Sequence, residues 1–373
     1  MNKAGAGAKR VDIPLLLSVL ALILFGMVML YSTSSYNGLV KFGDSFYYLK
    51  KQFFATSLGL LAMYLVANID YHIWSAFAVA GYGMSAILST LVLFIGKEIN
   101  GSKRWLSFGP LSFQPSEFAK VALIIFLAWM VTKQGKKIVK LKTMFLVILS
   151  ALPIVGLVGS NNLSTAIIIL GIAVILIFVA SPKYLQFLSI GLLGIAFVAI
   201  FLATASYRLE RLAIWLNPEE YEKGYQTLQG LYAIGSGGIF GVGIGNGKQK
   251  LGFVPEAQND MIFSIICEEL GLVGACLLIF LFAILIWRLM VVASHTKDLY
   301  GCLVVTGIMA HILIQVILNI AVVTNTIPNT GITLPFVSYG GTSVLFLLSE
   351  MGIALKLLLR FRAELPSKIL LKH

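Results

Sequence analysis

Charge is scarce in this chain: only 12% of its 373 residues are Asp, Glu, Lys or Arg, against 58% that are hydrophobic. A soluble domain carries about twice that share of charge, and a mean hydropathy of +0.92 means more apolar surface than a soluble core can hide. Cysteine is rarer still. Cys267, Cys276 and Cys302 lie in apolar runs without CxxC spacing, which excludes a zinc ribbon and a disulfide scaffold and leaves buried free thiols. The four histidines, His72, His295, His311 and His373, stand singly, as interfacial or structural residues do, and imply no zinc site. Acidic residues number 16 against 28 basic ones, a net charge of +12. The basic residues are split among short connections, with no groove of interleaved aromatics, so the charge belongs to a membrane surface and nucleic acid is not a partner.

What the chain has in abundance is long apolar runs. A helix needs about 20 residues to cross a hydrocarbon core of about 30 Å, and about ten runs qualify: 13–34, 49–67, 73–95, 115–133, 143–160, 163–181, 184–204, 262–287, 302–324 and 339–359. The expected fold is an all-α polytopic membrane protein. The first run is too long for a signal-peptide core and is followed by Tyr31-Ser32-Thr33-Ser34-Ser35-Tyr36, with no small-residue cleavage site, so it stays as a span. Lys3, Lys9 and Arg10 precede it, and Lys133, Lys136, Lys137, Lys140 and Lys142 crowd the connection after the fourth run. Basic loops stay inside. Ten spans then return the C-terminus, with Lys356, Arg360, Arg362, Lys368 and Lys372, to the cytoplasmic side.

This topology puts segments 35–48, 96–114 and 205–261 outside, and a connection as long as the last is uncommon without a function. Its apolar positions, from Leu228 to Phe240, suggest short helices lying in or dipping into the interface, tied by glycine turns. The glycines around Gly247-Lys248 do not make a phosphate loop. Val242 stands where a Walker A motif needs glycine, and Gln249 where it needs Ser or Thr. Nor do the two halves of the chain carry matching broken helices of the transporter kind.

Candidates for chemistry gather at the outer edge. In Pro255-Glu256-Ala257-Gln258-Asn259-Asp260-Met261 a polar loop becomes an apolar helix, placing Glu256 and Asp260 where carboxylates are costly. Helix capping and catalysis explain them equally well. Glu268 and Glu269 lie deeper in the same run; at about 100° per residue Glu268 stays within about 80° of Asp260 while Glu269 points away, and one of the two is expected to face the bundle interior. Cations are near at hand in Lys103, Arg104, Arg208, Arg211, Lys248 and Lys250, while Glu117 and Lys120 are spaced for a local i,i+3 ion pair. Outer cations beside an acidic base suit a substrate with a lipid-linked pyrophosphate. The polar, kinked stretch 330–343, which includes Ser338, is tolerated at membrane depth only where it is buried in protein or lines a wet cavity.

Taken together these fragments resemble the SEDS family of bacterial cell-wall proteins, the FtsW, RodA and SpoVE group. The resemblance spans nearly the whole chain: Lys103-Arg104-Trp105, Phe113-Gln114-Pro115-Ser116-Glu117 with Lys120, Gly224-Tyr225-Gln226, Ser236-Gly237-Gly238, Gln249-Lys250, Pro255-Glu256 with Asp260, Glu268-Glu269-Leu270-Gly271, and 331–343. Thr333, where elongation members tend to have proline, points to the division and sporulation branch, FtsW and SpoVE. The resemblance implies one SEDS-type membrane domain over 1–373, with the outer loop at about 205–261. It also implies a peptidoglycan glycosyltransferase that polymerises lipid II, an undecaprenyl-pyrophosphate-linked disaccharide pentapeptide, at the outer face of the cytoplasmic membrane. Its expected partners are a class B penicillin-binding protein, other division or sporulation proteins and membrane lipids. Asp260 matches the family's essential aspartate and is the expected catalytic base. Lys103, Arg104, Glu117, Lys120, Arg208, Arg211, Gln226, Lys250, Glu256, Glu268 and Ser338 are the substrate-binding candidates. No covalent cofactor is expected; a divalent cation, magnesium or manganese, could assist the leaving group.

The chain departs from the pattern at Asn161-Asn162, where relatives usually carry Pro-Asp, and at Ala321 and Asn325, where glycines are common. The rival readings are a lipid II flippase, which would favour a midplane site, and a division scaffold without catalysis. The scaffold leaves Glu268 and the outer charges without a task.

Overall fold

The computed structural model describes residues 12–99, 102–108, 111–183, 185, 187, 191 and 212–364. Helices dominate: α1 (Ile13–Phe42), α2 (Tyr47–Asn68), the short α3 (His72–Ala76), α4 (Ala78–Ile95), α5 (Pro115–Gln134), α6 (Leu141–Gly159), α7 (Leu163–Ala180), α8 (Tyr225–Gly237), α9 (Ile262–His295), α10 (Leu299–Val323) and α11 (Gly341–Glu364). Seven of the described helices, α1, α4, α5, α6, α7, α9 and α10, are long and apolar enough to cross a membrane. The expected spans at 49–67 and 339–359 are α2 and α11, which pack along each other. Most of the expected span 184–204 lies outside the described residues. Phe53, Phe54, Phe94, Phe280 and Trp287 are exposed on the helix surfaces, as lipid-facing residues are in a multi-pass membrane protein.

Local chemistry sets the helix ends. Asp12 caps α1 by accepting from Leu15 N at 2.9 Å, and Gly43 closes it in the left-handed region at φ 70°, where a side chain would be strained. Asn162 caps α7 in the same manner, its Oδ1 accepting from Thr165 N at 3.1 Å.

Two places differ from the sequence expectation. Segment 96–114 contains a three-stranded antiparallel sheet in the order β1-β2-β3, formed by Lys97–Ile99, Ser102–Phe108 and Leu111–Phe113. Glu98 pairs with Lys103 and Leu106 with Phe113. Leu106 is the buried residue of β2. The second difference is α8, which runs down against the start of α9 so closely that a Cβ on Gly237 would meet Cys267 O at 1.9 Å. The tip after it reaches Gly271, about 14 Å along α9 at 1.5 Å per residue. The expected short helix tied by glycine turns is thus present, and with its glycine tip it forms a hairpin packed against α9.

The hairpin is possible because α9 is broken where it arrives. Gly271 has φ 65° and ψ −163°, which interrupts the ladder at Leu272 N to Glu268 O and Val273 N to Glu269 O. All four freed groups are taken by the tip: Val242 N donates to Glu268 O (3.0 Å) and Gly243 N to Glu269 O (2.9 Å), while Leu272 N donates to Gly238 O (3.0 Å) and Val273 N to Ile239 O (3.1 Å). No backbone polar group of the break is left without a partner, which is the condition for irregular backbone inside a membrane.

Candidate functional site

Asp260 stands in the turn just ahead of α9, at the end of the bundle that carries the β-sheet. Each of its neighbours is held from elsewhere. Gln226, at the start of α8, donates from Nε2 to Asp260 Oδ1 at 3.4 Å and to Pro255 O at 3.3 Å, while its Oε1 accepts from Asn329 Nδ2 at 3.2 Å. Asn319 of α10 donates to the backbone carbonyls of Asp260 (2.8 Å) and Ile332 (2.6 Å). The backbone of Asp260 therefore shares one side-chain anchor, Asn319, with the segment 331–334.

Across Gly331 lies a cation. A Cβ placed on that glycine would stand 3.7 Å from Asp260 Oδ2 and 3.9 Å from Arg104 Nη1. Gly331 has φ 70°, so glycine serves both the backbone conformation and the open gap between base and guanidinium. Burial, with a smaller push from the Glu256 charge, outweighs a backbone hydrogen bond, Arg104 and Gln226 and raises the Asp260 carboxyl from 3.8 to about 7. A carboxyl with that pKa is part ionised at neutral pH and able to accept a proton.

Arg104 comes from β2 and is steadied by the connection between α6 and α7: its Nε donates to Asn161 O at 3.0 Å, and Asn161 Nδ2 donates to Lys103 O at 2.8 Å. Lys103, Arg104, Ser116, Asn161 and Asn162 line a groove at this point. Asn161 and Asn162 thus do structural work here, one binding β2 and the other capping α7. Ser164 then ties α7 to the polar segment by donating to Thr330 O at 3.0 Å.

The remaining candidates fall into three groups. Glu117 and Lys120 form the expected local pair at 2.9 Å, both buried, and Lys120 also donates to Gln315 Oε1 at 3.1 Å. Glu256 does not cap α9, which starts at Ile262 with no side-chain cap; it adopts φ 52° and accepts from Asn259 Nδ2 at 2.5 Å, and its effect on Asp260 is through charge. Glu268, Glu269 and Lys250 belong to the hairpin. Glu268 accepts from Lys248 N (2.8 Å) and Gln249 N (3.2 Å), and Glu269 binds Lys250 Nζ at 2.5 Å and Ser32 Oγ at 2.7 Å. Both carboxylates are buried, where the helical wheel placed only one inside, because α9 is covered on every side from Ile262 to Glu269 and each carboxylate finds its own partners there. Ser338 Oγ accepts from Leu334 N at 2.8 Å and so shapes a turn. Arg208 and Arg211 lie outside the described residues.

Among the described residues no three His, Cys, Asp or Glu side chains come together as a metal site. Asp260 and Glu256 are the acidic groups here, and Glu256 has an asparagine donor on one oxygen, so this donor set does not fit a protein-built divalent site. Sequence reading missed His311, Gln315, Asn319 and Glu350, which are buried beneath this end of the bundle. The spacing i, i+4, i+8 of the first three in an apolar run was the available signal.

A family model described as cell cycle protein, FtsW/RodA/SpoVE, matches residues 13–362. Stage V sporulation protein E of Bacillus subtilis is 39% identical over 356 residues, covering 92% of this chain and 96% of that protein. A probable peptidoglycan glycosyltransferase FtsW of Trichlorobacter lovleyi is 38% identical over 352 residues, covering 93% and 92%. Among solved structures, a chain of a peptidoglycan synthase complex that coordinates polymerisation and crosslinking aligns with a TM-score of 0.81 at 30% identity, covering 95% of this chain and 99% of that one. The rod shape determining protein RodA of Thermus thermophilus aligns with a TM-score of 0.70 at 29% identity, covering 96% and 98%. The chain belongs to the FtsW, RodA and SpoVE family of cell cycle proteins.

Proposed function

We propose that this protein polymerises lipid II into glycan strands at the outer face of the cytoplasmic membrane, with both termini inside, in division or sporulation. The observation that carries the reading is the Asp260 carboxyl, raised to about 7 and facing the Arg104 guanidinium across Gly331. A base and a cation separated by one glycine suit a transfer that moves a proton at one end and releases an anion at the other.

Asp260 takes the proton of the acceptor's GlcNAc 4-hydroxyl as that oxygen bonds to the donor's MurNAc anomeric carbon. The bond from that carbon to pyrophosphate breaks, and undecaprenyl pyrophosphate leaves with the electron pair. Attack opposite the leaving group turns an α-linked donor into a β-1,4 product, so a single base is enough. Arg104, with Lys103 beside it on β2, meets the negative charge that grows on the leaving phosphate. Gln226 orients the carboxyl. No step depends on a metal.

The similarity to a synthase-complex chain supports a crosslinking partner, a class B penicillin-binding protein, for this chain as well. The test is polymerisation of lipid II by the purified protein, reconstituted with that partner, against its Asp260→Asn variant. The variant is expected to fold and to lose roughly 10²-fold or more of the rate. Polymer at the wild-type rate from Asp260→Asn removes the base from this position, and lipid scrambling without polymer in the wild type favours a flippase.

A further inference from the structure

Beneath the site, α10 presents His311, Gln315 and Asn319 on one face, and all three are buried, as is Glu350 of α11. Four polar side chains at membrane depth need a reason. Their hydrogen bonds leave no freedom of orientation. Lys120 Nζ lies 3.1 Å from Gln315 Oε1, and an ammonium has hydrogens only, so the amide atom facing it is the oxygen. Gln315 Nε2 is then turned to Thr333 O, to which it donates at 3.0 Å. His311 Nε2 also faces Gln315 Oε1, at 3.0 Å, and so carries a hydrogen. Its Nδ1 lies 3.0 Å from both oxygens of Glu350, and one proton is shared there. Whether the pair is imidazolium with carboxylate or neutral ring with carboxyl, the Nε2 hydrogen is retained.

The consequence reaches the gap described above. Gln315 holds Thr333 O, and Asn319 holds both Ile332 O and Asp260 O, so neighbouring turns of one helix fix the base and the segment that carries Gly331. Lys120 and His311 fix Gln315, and Glu350 fixes the tautomer of His311. From this chain of contacts we infer that His311 and Glu350 are positioning residues, acting through Gln315 to set Gly331 at its height between Asp260 and Arg104. They do so without touching substrate. The inference rests on glycosyl transfer at Asp260 for its kinetic readout but not for its structural one.

Three variants of the full chain in lipid nanodiscs test it. His311→Leu removes the donor to Gln315, Gln315→Glu keeps the acceptor but removes the donor to Thr333 O, and His311→Gln keeps an N–H where Nε2 stood. With lipid II, His311→Leu and Gln315→Glu are expected to lose on the order of 10²-fold in kcat, the cost of a small misplacement, with KM held within roughly threefold. His311→Gln regains most of that loss. Hydrogen exchange of the 329–334 amides, read by mass spectrometry, is expected to accelerate in the first two variants and to match wild type in His311→Gln. Unchanged exchange in Gln315→Glu overturns the inference, as does a rise in KM with kcat intact. If His311→Leu fails to fold, Gln315→Glu and His311→Gln still decide the question. A wild type that makes no polymer defeats the glycosyltransferase reading alone, and the exchange measurement continues to judge the positioning claim.

Discussion

Two sets of acidic residues sit at the start of α9, and the protein treats them in opposite ways. Glu268 and Glu269 are sealed: a lysine, a serine hydroxyl and two backbone N–H groups occupy their oxygens. Asp260, two turns nearer the helix end, receives one long side-chain bond from Gln226 and a backbone hydrogen bond, and its cation stands off across Gly331. A carboxylate held by an ammonium and a hydroxyl, or by paired backbone N–H groups, is a strut; one held more loosely, with a raised pKa, is available for a proton. Cost shows the same contrast. The sealed pair stabilises the hairpin against α9, while the crowding that raises Asp260 works against its ionised form.

The largest way to break this comparison is to open the sealed set. Glu269→Ala leaves Lys250 as a buried cation without its carboxylate, at a cost of about 3–5 kcal/mol. A sharp fall in the detergent melting temperature and loss of folded protein are expected; an unshifted melt shows that the hairpin does not depend on the pair. Asp260→Asn sharpens the comparison from the other side. Because the carboxyl is raised from 3.8 to about 7, it lowers stability progressively as pH rises from about 4 to about 7 and leaves it lowered above that, so the amide is expected to melt at or above the wild-type temperature at pH 8 while activity is lost. Melting well below wild type would make Asp260 a strut as well.

Gly331→Val is expected next. It puts a β-branched residue at φ 70° and a side chain between Asp260 and Arg104, costing about 1–3 kcal/mol of strain, and closes the gap, so polymerisation falls further than stability does. Equal falls in both would argue against an open gap. The smallest effect is expected at Asn162→Asp, which puts a carboxylate at the N-cap of α7. Aspartate caps a helix about as well as asparagine and favours the N-terminal dipole by about 0.3–1 kcal/mol. The melt is expected to stay level or rise slightly, with the rate unchanged; a lost rate would show that the uncharged amide matters to the Arg104 groove.

Much of this was legible in the sequence, and the failures have physical causes. Helices announced themselves through run length, since crossing a hydrocarbon core leaves little choice of composition. Asp260 was visible as a carboxylate at a rim, but capping stayed a rival until α9 was found to begin at Ile262. The β-sheet hid because its three strands are short and Lys103-Arg104-Trp105-Leu106 shows no alternation of polar and apolar residues. The wheel failed at Glu269 because it assumes one buried face, and the start of α9 is buried all round. Lys250 with Glu269, and Gln315 with Thr333, are contacts between separate elements that no local period encodes.

The most direct test of the central claim is the pH dependence of lipid II polymerisation by the reconstituted wild type. A base must be deprotonated to act, and the Asp260 carboxyl is raised to about 7, so kcat/KM is expected to rise about tenfold per pH unit below that value and to level off above it. A rate already level well below pH 7, or one with the same rising limb in Asp260→Asn, contradicts the assignment of Asp260 as the base.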